Sequence, residues 1–408
     1  MTTLSIVIPA YNEERGIAEI VQRVLAVREK LDKASVELVE LLVVDDGSKD
    51  HTAQIIGEIE KTDPCVKLVR HPQNRGYGAA LKTGFSTAQG ELIGFLDADG
   101  TYPPEYFPEL CQLAMQGNDL VIGSRMSGAD SKMPVTRRIG NLFFAGLLSL
   151  LSHQNISDSA SGMRVFRKDI LETIYPLPDG LNLTPVMSAR AVHEGIKMVE
   201  YPIPYSERIG RSKLSVVRDG SIFLRSIIWT VLSYNPVGVF GFFGLGGILI
   251  TALVGVGLVV ARLSGVTTIG AWGVAALFWA LVSGIVGINI FALGLTSNYL
   301  VSLFNRRPIQ SSFRGRKWLP PTLDRHFGWL GLVAVLLGLL VASVSLILGI
   351  RGWEVARIWL YLLGSAMFIL MGVQLMIYWI LMRVLEEISQ RGNLIERDML
   401  SVTIQSKN

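Results

Sequence analysis

The 408-residue chain is 50% hydrophobic and carries a net charge of only +4, with a mean hydropathy of +0.41. That is too apolar for an ordinary soluble enzyme, and too weakly basic overall to imply a nucleic-acid partner. The excess is uneven: residues 1 to about 233 read as a soluble α/β domain, and long apolar runs dominate after Pro236. Cys65 and Cys111 lie far apart with no disulfide framework, which implies free thiols in a reducing compartment. Met1-Thr2-Thr3 leads straight into an apolar run with no signal-peptide pattern, so the soluble domain is expected in the cytosol.

Residues 4–8 predict a buried strand, followed by the turn Pro9-Ala10-Tyr11-Asn12-Glu13. The spacing of Ile17, Ile20, Val21, Val24 and Leu25 predicts a helix over 15–32. A second strand, 36–44, ends in Asp45-Asp46-Gly47-Ser48; Asp50 and Thr52 then look like helix-start residues for 53–59. A third strand spans 66–69, and Asn74-Arg75-Gly76-Tyr77-Gly78 opens a helix over 79–88. The next apolar run ends in Phe95-Leu96-Asp97-Ala98-Asp99-Gly100. On an extended strand, positions i and i+2 share a side. Asp97 and Asp99 at a strand's end would therefore share one hard divalent cation, which bridges to phosphate oxygens of a ligand. Strands alternating with helices at this spacing predict a mostly parallel sheet with helices on both faces. Ligands of such sheets bind beyond the strands' carboxyl ends, and Tyr11, Asp46 and Asp97 all fall there.

A helix over 105–116 and a strand over 119–124 follow, the latter leading into Arg125. Arg137 and Arg138 precede 139–151, apolar over nearly its whole surface but too short to cross a bilayer. This segment is expected to dip into the membrane face, its arginines at lipid phosphates. Ser161-Gly162-Met163-Arg164 turns into a strand, 185–194 reads as helix, and 198–205, with Pro202 and Pro204, reads as an edge or exit strand. Arg208 to Lys213 forms a glycine-containing cationic loop, and 214–233 is an amphipathic, interfacial helix. Four spans are expected, 237–261, 272–296, 328–350 and 356–382. The connector 304–326 holds Arg306, Arg307, Arg314, Arg316, Lys317 and Arg325, which places it and both termini on the cytosolic side. Gly244, Gly246, Gly247, Gly255 and Gly257 suit close helix packing, within the chain or in a homo-oligomer. Asn289, Asn298 and Gln374 are candidates for hydrogen bonds between helices. The expected division is a cytosolic catalytic domain over 1–210, an interfacial helix over 211–235, a four-helix membrane domain over 236–385 and a cytosolic tail over 386–408.

These motifs, in this order, resemble those of family 2 glycosyltransferases, and most closely the branch of dolichyl-phosphate mannose synthase and bacterial polyprenyl-phosphate glycosyltransferases. The resemblance covers residues 4 to 233 and implies a GT-A fold followed by interfacial helices and four transmembrane helices. It implies that Pro9, Tyr11, Glu13, Val44 and Asp46 hold the base and ribose of a nucleotide sugar. Asp97, Ala98 and Asp99 would lie at its diphosphate, with Mg²⁺ or Mn²⁺ on the two carboxylates. Arg125 would sit near the donor phosphate and acceptor, and Arg208 and Lys213 on a loop closing over the donor. Arg125, Arg137, Arg138 and Asn141 would meet the phosphate of a polyprenyl acceptor. Close mannose synthases often carry Gln two residues after the second carboxylate; here that residue is Thr101. The implied setting is a bacterial or archaeal cell membrane with membrane lipids as partners.

The chemistry fits these residues independently. A lipid phosphate is largely dianionic near neutral pH, its second pKa being about 6. It is already a nucleophile and needs little base catalysis, which agrees with the scatter of His51, His71, His153, His193 and His326. Arg125, Arg137, Arg138, Arg208 and Lys213 would offset the repulsion of two anions. In-line attack predicts inversion. A polysaccharide or glycolipid synthase using a hydroxyl acceptor and a non-catalytic membrane scaffold remain the alternatives.

Overall fold

A computed structural model describes residues 1–126, 133, 135–152, 156–206, 216–234, 236–266, 270–305, 324–353 and 355–405. These form two compact units, Met1–Val231 and Leu232–Asn408. In the first, the order is β1 (Thr2–Ala10), α1 (Ile17–Ala26), α2 (Arg28–Lys33), β2 (Val36–Asp45), α3 (Thr52–Thr62), β3 (Val66–Arg70), α4 (Tyr77–Thr87) and β4 (Leu92–Phe95). There follow α5 (Phe107–Met115), β5 (Leu120–Ser124), α6 (Val135–Ser152), β6 (Arg164–Arg167), α7 (Leu171–Ile174), α8 (Leu183–His193), β7 (Met198–Pro202) and α9 (Val216–Tyr234).

The seven strands form one sheet in the order β3-β2-β1-β4-β6-β5-β7. Only β6 runs against the others, pairing antiparallel with β4 and β5. The β7 segment, with its prolines, takes the edge. Side chains two apart share a face, so Leu4, Ile6 and Ile8 join one core cluster with Ile17, Ile20 and Val24 of α1. Val7, Leu42 and Phe95 join the other, beneath Leu81 and Phe85 of α4 and Met187 of α8. Each such fully buried side chain contributes about 1.5–3 kcal/mol. The expected single helix over 15–32 is two. A tightened turn at Val27, whose N–H reaches Val24 O at 3.1 Å, redirects the chain so that Leu31 is also fully buried.

One consequence of β6 governs the site. Because it runs backwards, its beginning lies at the same sheet edge as the ends of β1, β2, β4, β5 and β7. The 161–164 motif is thereby carried under the residues that follow β4.

The second unit contains α10 (Pro236–Leu263), α11 (Ala271–Asn305), α12 (Phe327–Ile350) and α13 (Val355–Gln405). Four stretches are long and apolar enough to cross a membrane: Pro236–Ala261, Ala271–Val301, Phe327–Ile350 and Tyr361–Ile388. Their apolar side chains point outward, as lipid requires; Trp272 is 90% exposed. Two of the glycines pack within the chain. A Cβ on Gly244 would lie 2.7 Å from Gly287 O, and one on Gly247 2.6 Å from Ser283 O, so α10 and α11 meet backbone to backbone. Gly246, Gly255 and Gly257 have nothing within 4 Å. Asn289 of α11 donates from Nδ2 to Gln374 Oε1 of α13 at 2.8 Å, as its polarity between apolar neighbours suggested. Helix α13 continues through Gln405, into the segment expected as a tail.

Candidate active site

The site begins where β1 and β2 end. Asp46 N–H donates to Ala10 O at 2.8 Å, tying the two strand ends together. In the turn after β1, Asn12 takes a left-handed φ of 51°. Its Oδ1 accepts from Lys49 N–H (2.8 Å) and its own N–H donates to Ser48 Oγ (2.9 Å). Glu13 N–H donates to Thr52 Oγ1 at 2.9 Å, so Tyr11 and Glu13 stand on a fixed turn. Asp46 accepts from the backbone N–H groups of Arg75 (2.9 Å) and Gly76 (2.8 Å), and contacts His71 Nδ1 at 2.7 Å. His71 is buried and reaches Thr83 Oγ1 through Nε2 at 2.9 Å. It is a structural histidine, and it aims Asp46. Gly47 has φ +71°, and a Cβ there would come within 2.6 Å of the Gln73 backbone, so no other residue fits this crossing without strain.

Asp97 and Asp99 do not lie on a strand as expected. β4 stops at Phe95, and residues 98–99 form a turn closed by Gly100 at φ 73°. Each carboxylate is anchored through Oδ1. Asp97 accepts from the Tyr77 hydroxyl at 2.8 Å. Asp99 accepts from Thr101 N–H at 3.1 Å and Thr101 Oγ1 at 2.5 Å, which gives the Thr at this position a role. Burial and the adjacent Asp97 charge push the Tyr77 hydroxyl well above its ordinary pKa, so it stays a donor. Gly162, delivered by antiparallel β6, lies against Asp97: a Cβ there would sit 2.5 Å from Oδ2. Gly162 N–H donates to Tyr102 OH at 2.7 Å.

Beyond β5, Arg125 is paired with a buried carboxylate. Its Nε and Nη2 donate to Asp158 at 2.8 and 2.7 Å, and its N–H at 2.9 Å. The guanidinium lies 5.7 and 5.5 Å from the ring centres of Tyr102 and Tyr205. Burial alone would raise the Asp158 carboxyl, but the Arg125 charge and bonds outweigh it and hold the group below the usual carboxylate range. Asp158 is fixed in turn by Glu200 of β7, which accepts from the N–H groups of Ser157 (2.8 Å) and Asp158 (3.0 Å). Arg164 is fully buried, donating to the carbonyls of Ser161 (3.1 Å) and Ser159 (2.8 Å). Burial lowers its pKa to about 10, so it remains a cation at neutral pH.

Asp46, Tyr77, Asp97, Asp99, Tyr102, Arg125 and Gly162 line one cavity of about 520 Å³. Of the expected residues, Pro9, Tyr11, Glu13, Asp46, Asp97, Ala98, Asp99, Arg125 and Asn141 line it. Val44 does not; its side chain is fully buried in the core cluster beneath α4. α6 supplies Gly140, Asn141 and Phe144 to the cavity, a stripe with helical spacing. Asn141 Nδ2 donates to Ser157 O at 3.2 Å. Arg138, a step of about 100° from its neighbour, is exposed and outside the cavity lining. Arg137 falls in helical register with Asn141, but its side chain, like all of Arg208 and Lys213, lies outside the described residues. Val135, Ile139, Leu142 and Phe143 of α6 are exposed, so the helix turns an apolar side outward as expected of a membrane-facing segment. Sequence reasoning missed His71, Tyr77, Asp158 and Glu200. Tyr77 and Asp158 stood within noted motifs, but only the fold reveals their partners.

Residues 5–175 match glycosyl transferase family 2. A dolichyl-phosphate hexose transferase of Haloferax volcanii is 31% identical over 225 residues, 55% of this chain and 92% of its own. The chain belongs to family 2 of the glycosyltransferases. Its mostly parallel sheet is of the family's GT-A type. An undecaprenyl-phosphate 4-deoxy-4-formamido-L-arabinose transferase of Edwardsiella ictaluri is 29% identical over 305 residues, 74% of this glycosyltransferase and 90% of the relative. Among solved structures, glucosyl-3-phosphoglycerate synthase of Mycobacterium tuberculosis, in complex with Mn²⁺, UDP and phosphoglyceric acid, aligns with a TM-score of 0.42 and 22% identity, covering 57% of this chain and 78% of its own. Residues 236–396 match a domain of unknown function, DUF8752.

Proposed function

We propose that this glycosyltransferase moves a hexose from a nucleotide sugar, of the GDP-mannose or UDP-glucose type, to a polyprenyl phosphate at the cytosolic membrane face. The observation that carries the reading is that one cavity is lined both by Tyr11, Asp46, Asp97 and Asp99 and by α6, whose opposite side is apolar and exposed. A water-borne anion and a lipid-borne one can meet there. The names of the two relatives, acting on undecaprenyl and dolichyl phosphates, support the same acceptor class.

Asp46 and the turn carrying Tyr11 and Glu13 would orient the nucleoside. The acceptor phosphate oxygen attacks the anomeric carbon as the bond to the diphosphate breaks. The electron pair leaves with the diphosphate, and the configuration inverts. A dianionic phosphate needs no proton removed, consistent with a cavity whose buried histidine holds Asp46 in place. Two carboxylates at a phosphate subsite are a hard oxygen-donor set suited to Mg²⁺ or Mn²⁺, ions that bind through one or two carboxylates plus substrate phosphates. Asp97 and Asp99 would hold it, and it would supply charge stabilisation for the leaving diphosphate. Arg164, buried and bonded to the carbonyls of Ser161 and Ser159, adds fixed positive charge. Arg208 and Lys213 are expected to close over the donor. The basic connector 304–326 orients the chain with the catalytic unit in the cytosol.

The test is transfer of label from a panel of UDP- and GDP-sugars to added polyprenyl phosphate, with Mg²⁺ or Mn²⁺, followed by lipid extraction. Asp99→Ala is expected to lower the rate by at least ~100-fold, the scale of losing one charge-stabilising group. Unchanged transfer by that variant overturns the assignment of Asp99.

A further inference from the structure

A second recess, of about 550 Å³, lies apart from the active-site cavity, between the loop at 176–182, α8 and α9. Its α9 wall is the stripe Ile222, Arg225, Ser226, Trp229 and Thr230, at helical spacing. Gly220 and Phe223 of the same helix line the catalytic cavity, so α9 separates the two spaces. The recess is mostly apolar, with two cations in its wall. Arg190 and Arg225 line it, and no acidic side chain does among the described residues. Arg190 donates from Nη1 to Ile174 O at 3.1 Å, while its Nε is buried with no hydrogen-bond partner. A buried donor without an acceptor is destabilising, and an acceptor seated in the recess would remove that cost. Arg225 is exposed, as are Ile222 (41%) and Trp229 (61%).

Trp beside Arg is the composition of a membrane–water interface. The sequence places it there: Trp229 stands seven positions before Pro236, where the first span begins. We propose that this recess seats the phosphate headgroup of an anionic phospholipid, with Arg190 and Arg225 on the phosphate and Trp229 and Ile222 along the upper acyl chains. It is a lipid site distinct from that of the substrates, and it holds whatever sugar the enzyme transfers.

The test uses the full chain in phosphatidylcholine vesicles containing phosphatidylglycerol with a photoactivatable headgroup, and maps the labelled peptides. Label is expected on the peptides of 176–190 and 222–230, displaced by unlabelled phosphatidylglycerol. Each arginine near a membrane surface changes anionic-lipid binding about fivefold, so Arg225→Gln should cut labelling by about that factor. Arg225 makes no hydrogen bond or ion pair among the described residues, so its loss does not threaten folding. Arg218→Gln, at an exposed arginine of the same helix outside the recess, should leave labelling unchanged. Equal loss from Arg218→Gln would reveal general surface charge and overturn the site. Displacement by phosphatidylcholine, by glycerol phosphate alone, or only by polyprenyl phosphate would likewise overturn it.

Discussion

In the N-terminal unit, Asp158 is fully buried against Arg125, and Arg164 is fully buried nearby. In the C-terminal unit, the polar contact between α11 and α13 is neutral, Asn289 to Gln374, and glycine brings α10 and α11 together. The two units fix side chains by different means. A sheet edge surrounded by water can bury ions if each is answered, and the answers set the geometry of a site. A helix bundle in lipid gains little from apolar contact and relies on close backbone approach with a few neutral hydrogen bonds. Removing one buried polar partner should therefore cost much in the first unit and little in the second.

The largest expected effect is at Asp158. Asp158→Ala leaves Arg125 buried without its partner, which typically costs about 3–5 kcal/mol. The first unit's thermal transition in the detergent-solubilised full chain should fall sharply, while the helical signal of the second unit persists. A variant that melts like the wild type would show that the pair contributes little.

The asymmetry also explains what the sequence made legible. Strand alternation and helical spacing report burial, so β1 to β5 and the four spans were readable from residues such as Val43 and Ile20. Asp46 and Asp97 were readable because parallel strands put their ends at one edge. The partnership of Arg125 with Asp158, 33 positions away, and the pressing of Gly162 on Asp97 were not. Both depend on β6 running backwards, a reversal that a four-residue strand does not announce. Asp99 was misplaced because the strand was extended through Leu96, whereas Gly100, readable as a turn residue, ends the extended geometry early. The burial of the Val44 side chain beneath α4 was not legible either, because a motif is read as a string and says nothing of what packs on it.

A smaller effect separates two groups of the first unit by pH. His193 ends α8, where the helix dipole favours the imidazolium, but burial wins and lowers its pKa to about 4. The unfolded chain, with a histidine pKa near 6.5, binds the proton that the folded one refuses. Between about pH 6.5 and 4 stability therefore rises with pH and is lost on acidification, by ~3 kcal/mol. Asp158 acts in another window. Its folded pKa lies below the usual carboxylate value, so its contribution is present above about pH 4 and fails below it. His193→Gln should flatten the upper part of the acid limb and leave the lower part. An unchanged limb between pH 6.5 and 4 would place the acid sensitivity elsewhere.

The smallest effect belongs to the lipid-facing unit. Asn289→Leu removes the bond to Gln374 and replaces an amide with a side chain that the surrounding α11 positions already favour. Bonds of this kind between membrane helices average only about 0.6 kcal/mol, because the separated helices find other partners for their polar groups. Gln374 could turn its amide toward a backbone carbonyl of its own helix. Steric trapping or denaturant unfolding in micelles should show a loss well under that of Asp158→Ala, whereas Asn289→Leu with Gln374→Leu should recover part of it, since no amide is then left unanswered. If the single substitution instead collapses the bundle, neutral polarity in these helices carries as much of the fold as charge does at the sheet edge.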